Sequence, residues 1–422
     1  MDLQEQLALL RRKVDRINAK YAAEPSPPPP APPSELPCLA DEVLTGDVVE
    51  TAHGRHFETV RLWERHRRHG SMDVIDLQQL PDDLLVALSG GECVPKPVSR
   101  WAFLDTETTG LAGGSGTYAF LIGVGSVTPE GFHVRQFFMR DYGEEPSQLA
   151  ALAEHLASFE VLVTYNGKTF DLPLLETRYR MCRMRPPFAR LQHLDLLHGA
   201  RRLWKLRLES CRLMDLENQV LGVEREGDLP GEMIPFVYFE FLRTQQAFRL
   251  VPIFHHNAVD ILSTACLTGI VPFAFRDPSG AQIVHGADLV GLGRWLLANG
   301  EREQSATLLR RAVDLGLPDA LLFRTMWDIA ALERKLGHEE AAQALLNELT
   351  ESRNPFRIAA LEALAKHYEH REKDYTKALE MIRTARTLED SPELAHRCTR
   401  LEKRIARRKP EVSPASLLSL ES

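Results

Sequence analysis

The chain of 422 residues has little cysteine: six, at positions 38, 93, 182, 211, 266 and 398. No two form a CxxC pair, which leaves a zinc ribbon or a thioredoxin-like site without support. Thiols scattered in this way read as reduced, and the expected location is the cytoplasm. No apolar run approaches the ~18 residues of a bilayer span, so no membrane partner is expected. The opening stretch, MDLQEQLALLRRKVDRINAKY, has no apolar segment of the secretory kind. A GxxxxGK phosphate loop is missing too, and the Gly-rich AGGSG segment at 112–116 precedes a strand-like run and reads as a turn. The chain also lacks a basic excess. Its formal net charge is −8, so any contact with nucleic acid must be local.

With 44% hydrophobic and 26% charged residues, the composition is that of a globular protein, and the length predicts two or three domains. Leu3, Leu7, Leu10, Val14 and Ile17 recur at helical spacing, so residues 1–22 read as an amphipathic helix. Residues 23–37 form a Pro-rich linker whose consecutive prolines favour an extended spacer. Residues 38–99 read as a small mixed prelude, with a solvated basic face at RLWERHRRHG, 61–70. From Trp101 the pattern sharpens. Strands are expected at 101–105, 118–127, 132–139, 161–165 and 193–197, with helices at 145–157 and 171–183. The order β-β-β-α-β-α-β predicts an α/β domain over 100–275, a mixed sheet flanked by helices. Residues 285–409 then read as all-α. Leu308, Leu345 and Ile382 take matching places 37 residues apart, with small residues Ser305, Ala342 and Ala378 near the start of each second helix. These three units resemble tetratricopeptide repeats, whose period is about 34. The resemblance implies a protein partner bound through the repeats. A flexible tail, 410–422, is expected to follow.

Three motifs carry chemistry. In Asp105-Thr106-Glu107-Thr108-Thr109-Gly110-Leu111, residues i and i+2 of a strand face one side, so Asp105 and Glu107 project together. Two carboxylates held close repel each other unless a cation lies between them, and hard oxygen ligands suit Mg²⁺ or Mn²⁺. In Tyr165-Asn166-Gly167-Lys168-Thr169-Phe170-Asp171 a buried strand ends at a turn, and Asp171 opens the next helix. In His255-His256-Asn257-Ala258-Val259-Asp260, His256 and Asp260 are i and i+4 on one helix face, and His255 is rotated about 100° away.

In this order, DxETTGL, YNGxxFDxPLL and HNxxD resemble the DEDD (DnaQ-like) superfamily of 3′-5′ exonucleases with a ribonuclease H-like fold. The resemblance covers roughly 100–272, and the whole arrangement is most similar to the bacterial YprB-type ribonuclease H-like proteins. It implies that Asp105, Glu107, Asp171 and Asp260 hold two divalent cations, and that a histidine acts as general base. One branch of the superfamily has a histidine at the position of His255 and the other a tyrosine at the position of His256; both positions hold histidine here, so the branch stays ambiguous. The shared face with Asp260 favours His256. The implied reaction is hydrolysis of phosphodiester bonds in single-stranded DNA or RNA. The alternative is a catalytically weak nucleic-acid-binding scaffold whose repeats recruit partners.

Between 178 and 212, ten basic residues are opposed only by Asp195 and Glu209. Such density can attract a phosphate backbone, and Arg178, Arg201 and Arg202 are candidate contacts, with Thr108 and Asn166 from the motifs. Phe170 is a candidate for base stacking, although core packing is the favoured reading for its ring.

Overall fold

The computed structural model describes residues 43–80, 86, 89, 92–110, 116–225, 227–276 and 283–408. The expected N-terminal helix, the Pro-rich linker, most of the AGGSG turn and the tail 410–422 lie outside the described residues.

Seven strands form one sheet in the order β1-β2-β7-β6-β5-β8-β9, and β3 (Arg68–His69) and β4 (Met72–Asp73) make a separate small hairpin. The members are β1 (Asp47–Thr51), β2 (Gly54–Glu64), β5 (Trp101–Thr108), β6 (Ala119–Thr128), β7 (Gly131–Phe138), β8 (Val161–Thr164) and β9 (Gln192–Asp195). Pairing is antiparallel from β1 across to β5, then parallel from β5 to β8 and β9. The expected mixed sheet is therefore present. The hairpin β1–β2 joins it through β7, so residues ahead of Trp101 extend the same sheet.

Side-chain alternation along β5 divides the two layers. Ala102 and Leu104 pack with α1 (Glu145–Leu156) and α2 (Asp171–Met181) through Leu149, Leu152, Leu174 and Leu175. Trp101 and Phe103 face the other layer and share a core with Ala258, Ile261, Leu262 and Ala265. Those four lie on α5 (Val251–Arg276), which follows α3 (Leu196–Trp204) and α4 (Ile234–Thr244). Asp105 and Glu107 continue the parity of Trp101 and Phe103, so the strand directs both acids toward α5.

Gly123 of β6, paired with Asp105, permits that helix to sit close. A Cβ there would lie 2.3 Å from both Asn257 Oδ1 and Ile261 Cδ1.

Beyond residue 285 the described chain is helical. α6 (Gly286–Ala298) pairs with α7 (Arg302–Asp314), α8 (Asp319–Leu336) with α9 (Glu339–Glu351), and α10 (Arg357–His367) with α11 (Tyr375–Leu388), before α12 (Pro392–Arg408). Ser305, Ala342 and Ala378 are all fully buried, as close helix packing requires. On α12, Arg397, Arg400 and Arg404 converge on buried Glu369 at 3.3, 2.7 and 3.2 Å, so this basic run ties the helix to its neighbours.

Because the Gly123 backbone lies under Asn257, Gly123→Ala is expected to destabilise the fold by about 2 kcal/mol. The melting temperature should fall by several degrees. An unchanged melting temperature would show that α5 has room to spare over β6.

Candidate active site

Two strand ends and one helix bring the acids together. Asp105 and Glu107 stand at the C-terminal end of β5, where the register with β6 shifts: Glu107 faces Leu121, but Thr108 faces Ala119. A bulge at this point re-aims the strand next to the acids. Asp171 arrives from the opposite layer at the start of α2, where Thr106 Oγ1 donates to its Oδ1 at 2.5 Å. Asp260 and His256 come from α5, one turn apart, with His256 Nε2 at 3.7 Å from Asp260 Oδ2.

Fully buried Asn257 fixes the first carboxylate. Its Nδ2 donates to Asp105 Oδ2 at 2.9 Å, and its Oδ1 accepts from Gln136 Nε2 at 2.9 Å. The turn before Asp171 is held by Asp195 of β9, which accepts from the backbone N–H groups of Asn166 at 2.8 Å and Lys168 at 3.0 Å. Asn166 occupies left-handed backbone there, with φ of 68°, a conformation asparagine tolerates.

Electrostatically the cluster is under strain. Burial, reinforced by Asp260, Glu107 and Asp171, holds the Asp105 carboxyl well above the usual carboxylate range. Burial pushes Glu107 up to about 8 despite His256 nearby, with Asp260, Asp171 and Asp228 adding to the rise. Burial likewise lifts Asp171 to about 6 against the opposing hydrogen bond from Thr106. For His256, burial lowers the pKa but Asp260, Glu107 and Asp228 outweigh it and raise the imidazole above its ordinary value. His256 Nδ1 lies 2.8 Å from Asp228 Oδ2. His255 lies on the exposed side, with Nδ1 2.8 Å from Arg61 Nη1, and burial and Arg61 lower its pKa. The structure thus separates the two histidines: His256 belongs to the acid cluster and His255 does not.

Three residues of the centre escaped the sequence analysis. Arg225 forms ion pairs with Asp260 and Glu217, and lies 3.1 Å from Asp228 Oδ2. No motif marks them in the segment 217–228, for which the sequence carries no expectation. Two other expectations need correction. Arg178 is 2% exposed, its guanidinium bidentate to Glu145 at 2.5 and 2.6 Å and stacked over Tyr118, so it fastens α2 to α1 and is withheld from any ligand. Phe170 is 55% exposed beside Asp171, which overturns the core-packing reading and leaves its face open. Thr108 Oγ1 donates to Gly110 O at 3.0 Å and shapes the strand end.

The basic segment divides in the same way. Arg190 donates to the Leu156 and Ala157 carbonyls at the end of α1 and to Phe159 O just beyond it, and Arg207 pairs with Asp288 at 2.9 Å. Arg201, Lys205 and Arg212 remain exposed around a groove of about 640 Å³ that also includes Tyr165 and Asn166. Arg202 is exposed and lies 5.7 Å from the Trp295 ring centroid.

The donor set is all carboxylate oxygen, buried and mutually repelling, which fits hard divalent cations in kind. Among the described residues, however, no three His, Cys, Asp or Glu side chains are already arranged to hold an ion.

A pH effect on stability follows. A carboxyl raised to about 8 in the folded state contributes stability at low pH that is lost as pH climbs toward 8. His256, also raised, acts in the same direction. His69, His155 and His193 are lowered to about 4 by burial, so their opposing effect is complete above about 6.5. In the metal-free protein Glu107 accounts for a loss of about 2 kcal/mol between pH 6.5 and 8, Asp105 adds to it in the same direction, and Glu107→Gln should shrink the loss. Urea denaturation at the two pH values measures it, and an equal loss in both proteins would refute the assignment to Glu107.

Comparison with known proteins agrees with this fold. A sequence profile of the RNase_H superfamily, RNase_H_2, matches residues 102–271, the span that holds all four acids. The chain is also 35% identical over 316 residues to the "Uncharacterized protein YprB" of Bacillus subtilis (strain 168), covering 74% of this chain and 75% of that one. With its sheet, its flanking helices and this extent of identity, the chain belongs to the YprB family, and its α/β domain to the RNase_H superfamily.

Proposed function

We propose that the protein is a metal-dependent nuclease, a DEDD-type 3′-5′ exonuclease acting on single-stranded DNA or RNA. The observation that carries this reading is the convergence of Asp105, Glu107, Asp171 and Asp260, each raised or paired in a way that calls for counter-charge. Membership of the RNase_H superfamily supports nuclease chemistry and a nucleic-acid substrate. The four carboxylates are the ligands for two Mg²⁺ or Mn²⁺ ions. Such ions, when bound, supply the acidity that turns water into hydroxide near neutral pH and stabilise the leaving 3′-oxygen.

This chain's own residues do the rest. Asn257, backed by Gln136, holds Asp105 in one orientation. Thr106 does the same for Asp171. His256 is the general base. It takes the proton of the attacking water as the new P–O bond forms and the bond to the 3′-oxygen breaks, and Asp228 steadies the ring through Nδ1. Counter-charge at Asp260 and Glu107 would offset two of the three acids that raise its pKa, leaving Asp228. Exposed Phe170 offers a face for the terminal base, and Arg201, Lys205 and Arg212 line a path for phosphates beyond Asn166. The helical repeats, in this reading of the tetratricopeptide type, present a surface for a protein partner.

Asp105→Ala is expected to abolish Mn²⁺-dependent degradation of 3′-labelled single-stranded DNA and RNA while the far-UV circular dichroism stays the same. Equal turnover in variant and parent would end the catalytic reading. Loss of a general base lowers turnover by about 10²–10⁴, so His256→Ala should fall in that range and His255→Ala should stay close to the parent. The reverse ranking would move the base to His255.

A further inference from the structure

We propose that Arg225 is a resident counter-cation of the acidic centre, which a divalent ion must displace before it can use Asp260 as a ligand. This rests on the reading of the four acids as metal ligands. Two arginines of the same domain show the contrast. Arg178 is a clamp: Nε and Nη2 both engage the single carboxylate of Glu145. Arg225 instead spreads one-atom contacts over three carboxylates from separate places in the chain. Nη2 serves Glu217 and Asp260, Nη1 serves Asp228, and its buried Nε has no hydrogen-bond partner. A guanidinium used in this way places a positive charge among several oxygens, one of them from Asp260, with Nε left unused.

Two surrounding features fit a side chain that leaves. The guanidinium engages Asp260, among the described residues the one of the four acids whose carboxylate is held by an arginine. Beside Arg225, Glu217 and Asp228 an open cavity of about 760 Å³ is also lined by Glu224 and Pro230. It gives the displaced guanidinium room and a new carboxylate, exposed Glu224. Ion binding and Arg225 release are then coupled, each opposing the other by the same factor.

Mn²⁺ binding to the full-length chain, followed by isothermal titration calorimetry at fixed pH and salt, tests this without turnover. The variant is Arg225→Met with Glu217→Gln. It removes the competing cation together with the buried acid that would otherwise be orphaned, and it leaves the net charge unchanged. Tighter binding then reports the lost competitor rather than a more negative surface. The affinity should rise about tenfold or more, as expected for losing a charge-assisted contact. Arg225→Lys, which keeps the charge but has no fork to span the three acids, should fall between parent and double variant and serves if the double variant does not fold. Equal or weaker Mn²⁺ binding in these variants, with measurable binding by the parent, would overturn the proposal alone. Absence of Mn²⁺ binding in parent and variants would overturn the metal-ligand reading and the proposal together.

Discussion

Like charge confined in a small, half-buried space is the constraint around which this domain is arranged. Asp105, Glu107 and Asp171 all have raised pKa values because burial removes water and their neighbours are also acids. A core that carries such a group must fix it by hydrogen bonds, neutralise it with a proton, or supply a cation. The structure uses all three. Asn257 and Thr106 donate to carboxylates, Glu107 holds its proton into the neutral range, and Arg225 brings a guanidinium. The Gly123 backbone under Asn257 belongs to the same solution, since α5 delivers Asn257 and Asp260 only if it lies close over β6.

The sheet topology explains why the acids meet at all. The parallel strands β5, β8 and β9 end on one side, and loops leaving the carboxyl ends of neighbouring parallel strands are where α/β sheets build sites. Asp105 and Glu107 sit at the end of β5, the turn to Asp171 follows β8, and Asp195 at the end of β9 caps that turn through two backbone amides. Strand alternation does the remaining selection. Odd-numbered residues of β5 point to α5 and meet Asn257, while Thr106 points to the other layer and meets Asp171. The centre is thus assembled from both faces of one strand end, and a shift of β5 by one residue would exchange the two sets.

The elements that sequence analysis located were those with a strong period. The alternation in β5 to β7, the apolar run of β8 and the helical spacing beyond 285 are periodic, and the helices and strands fall within a few residues of their expected places. Asp105, Glu107 and Asp171 were legible because they sit at the ends of such elements, and Asp260 because it stands one turn beyond His256 on an apolar helix. Arg225, Glu217 and Asp228 were not, because a tight ion network between a loop and a distant helix leaves no period in the chain. The same holds for Arg178. Its sequence neighbours are basic and suggest a surface, but its partner Glu145 lies 33 positions away on another helix. Phe170 fails in the opposite sense: an aromatic beside a buried aspartate reads as core, yet the turn set by Asn166 leaves it outside.

The helical region is bound to the α/β domain rather than strung after it. A Cβ on Gly291 of α6 would meet the Leu203 carbonyl at 2.5 Å, so α6 lies against the end of α3 with backbone nearly touching backbone. Trp204, Leu289 and Trp295 share one apolar core with Trp101 and Phe103, and Arg207 reaches across to Asp288. This junction borders the basic groove, because Arg201 and Lys205 belong to the same stretch as Leu203 and Trp204. The first helical pair thus rests on the helix that carries Arg201 of the groove. Packing this close means that a displacement of α6 has to be accommodated at the end of α3, next to Arg201.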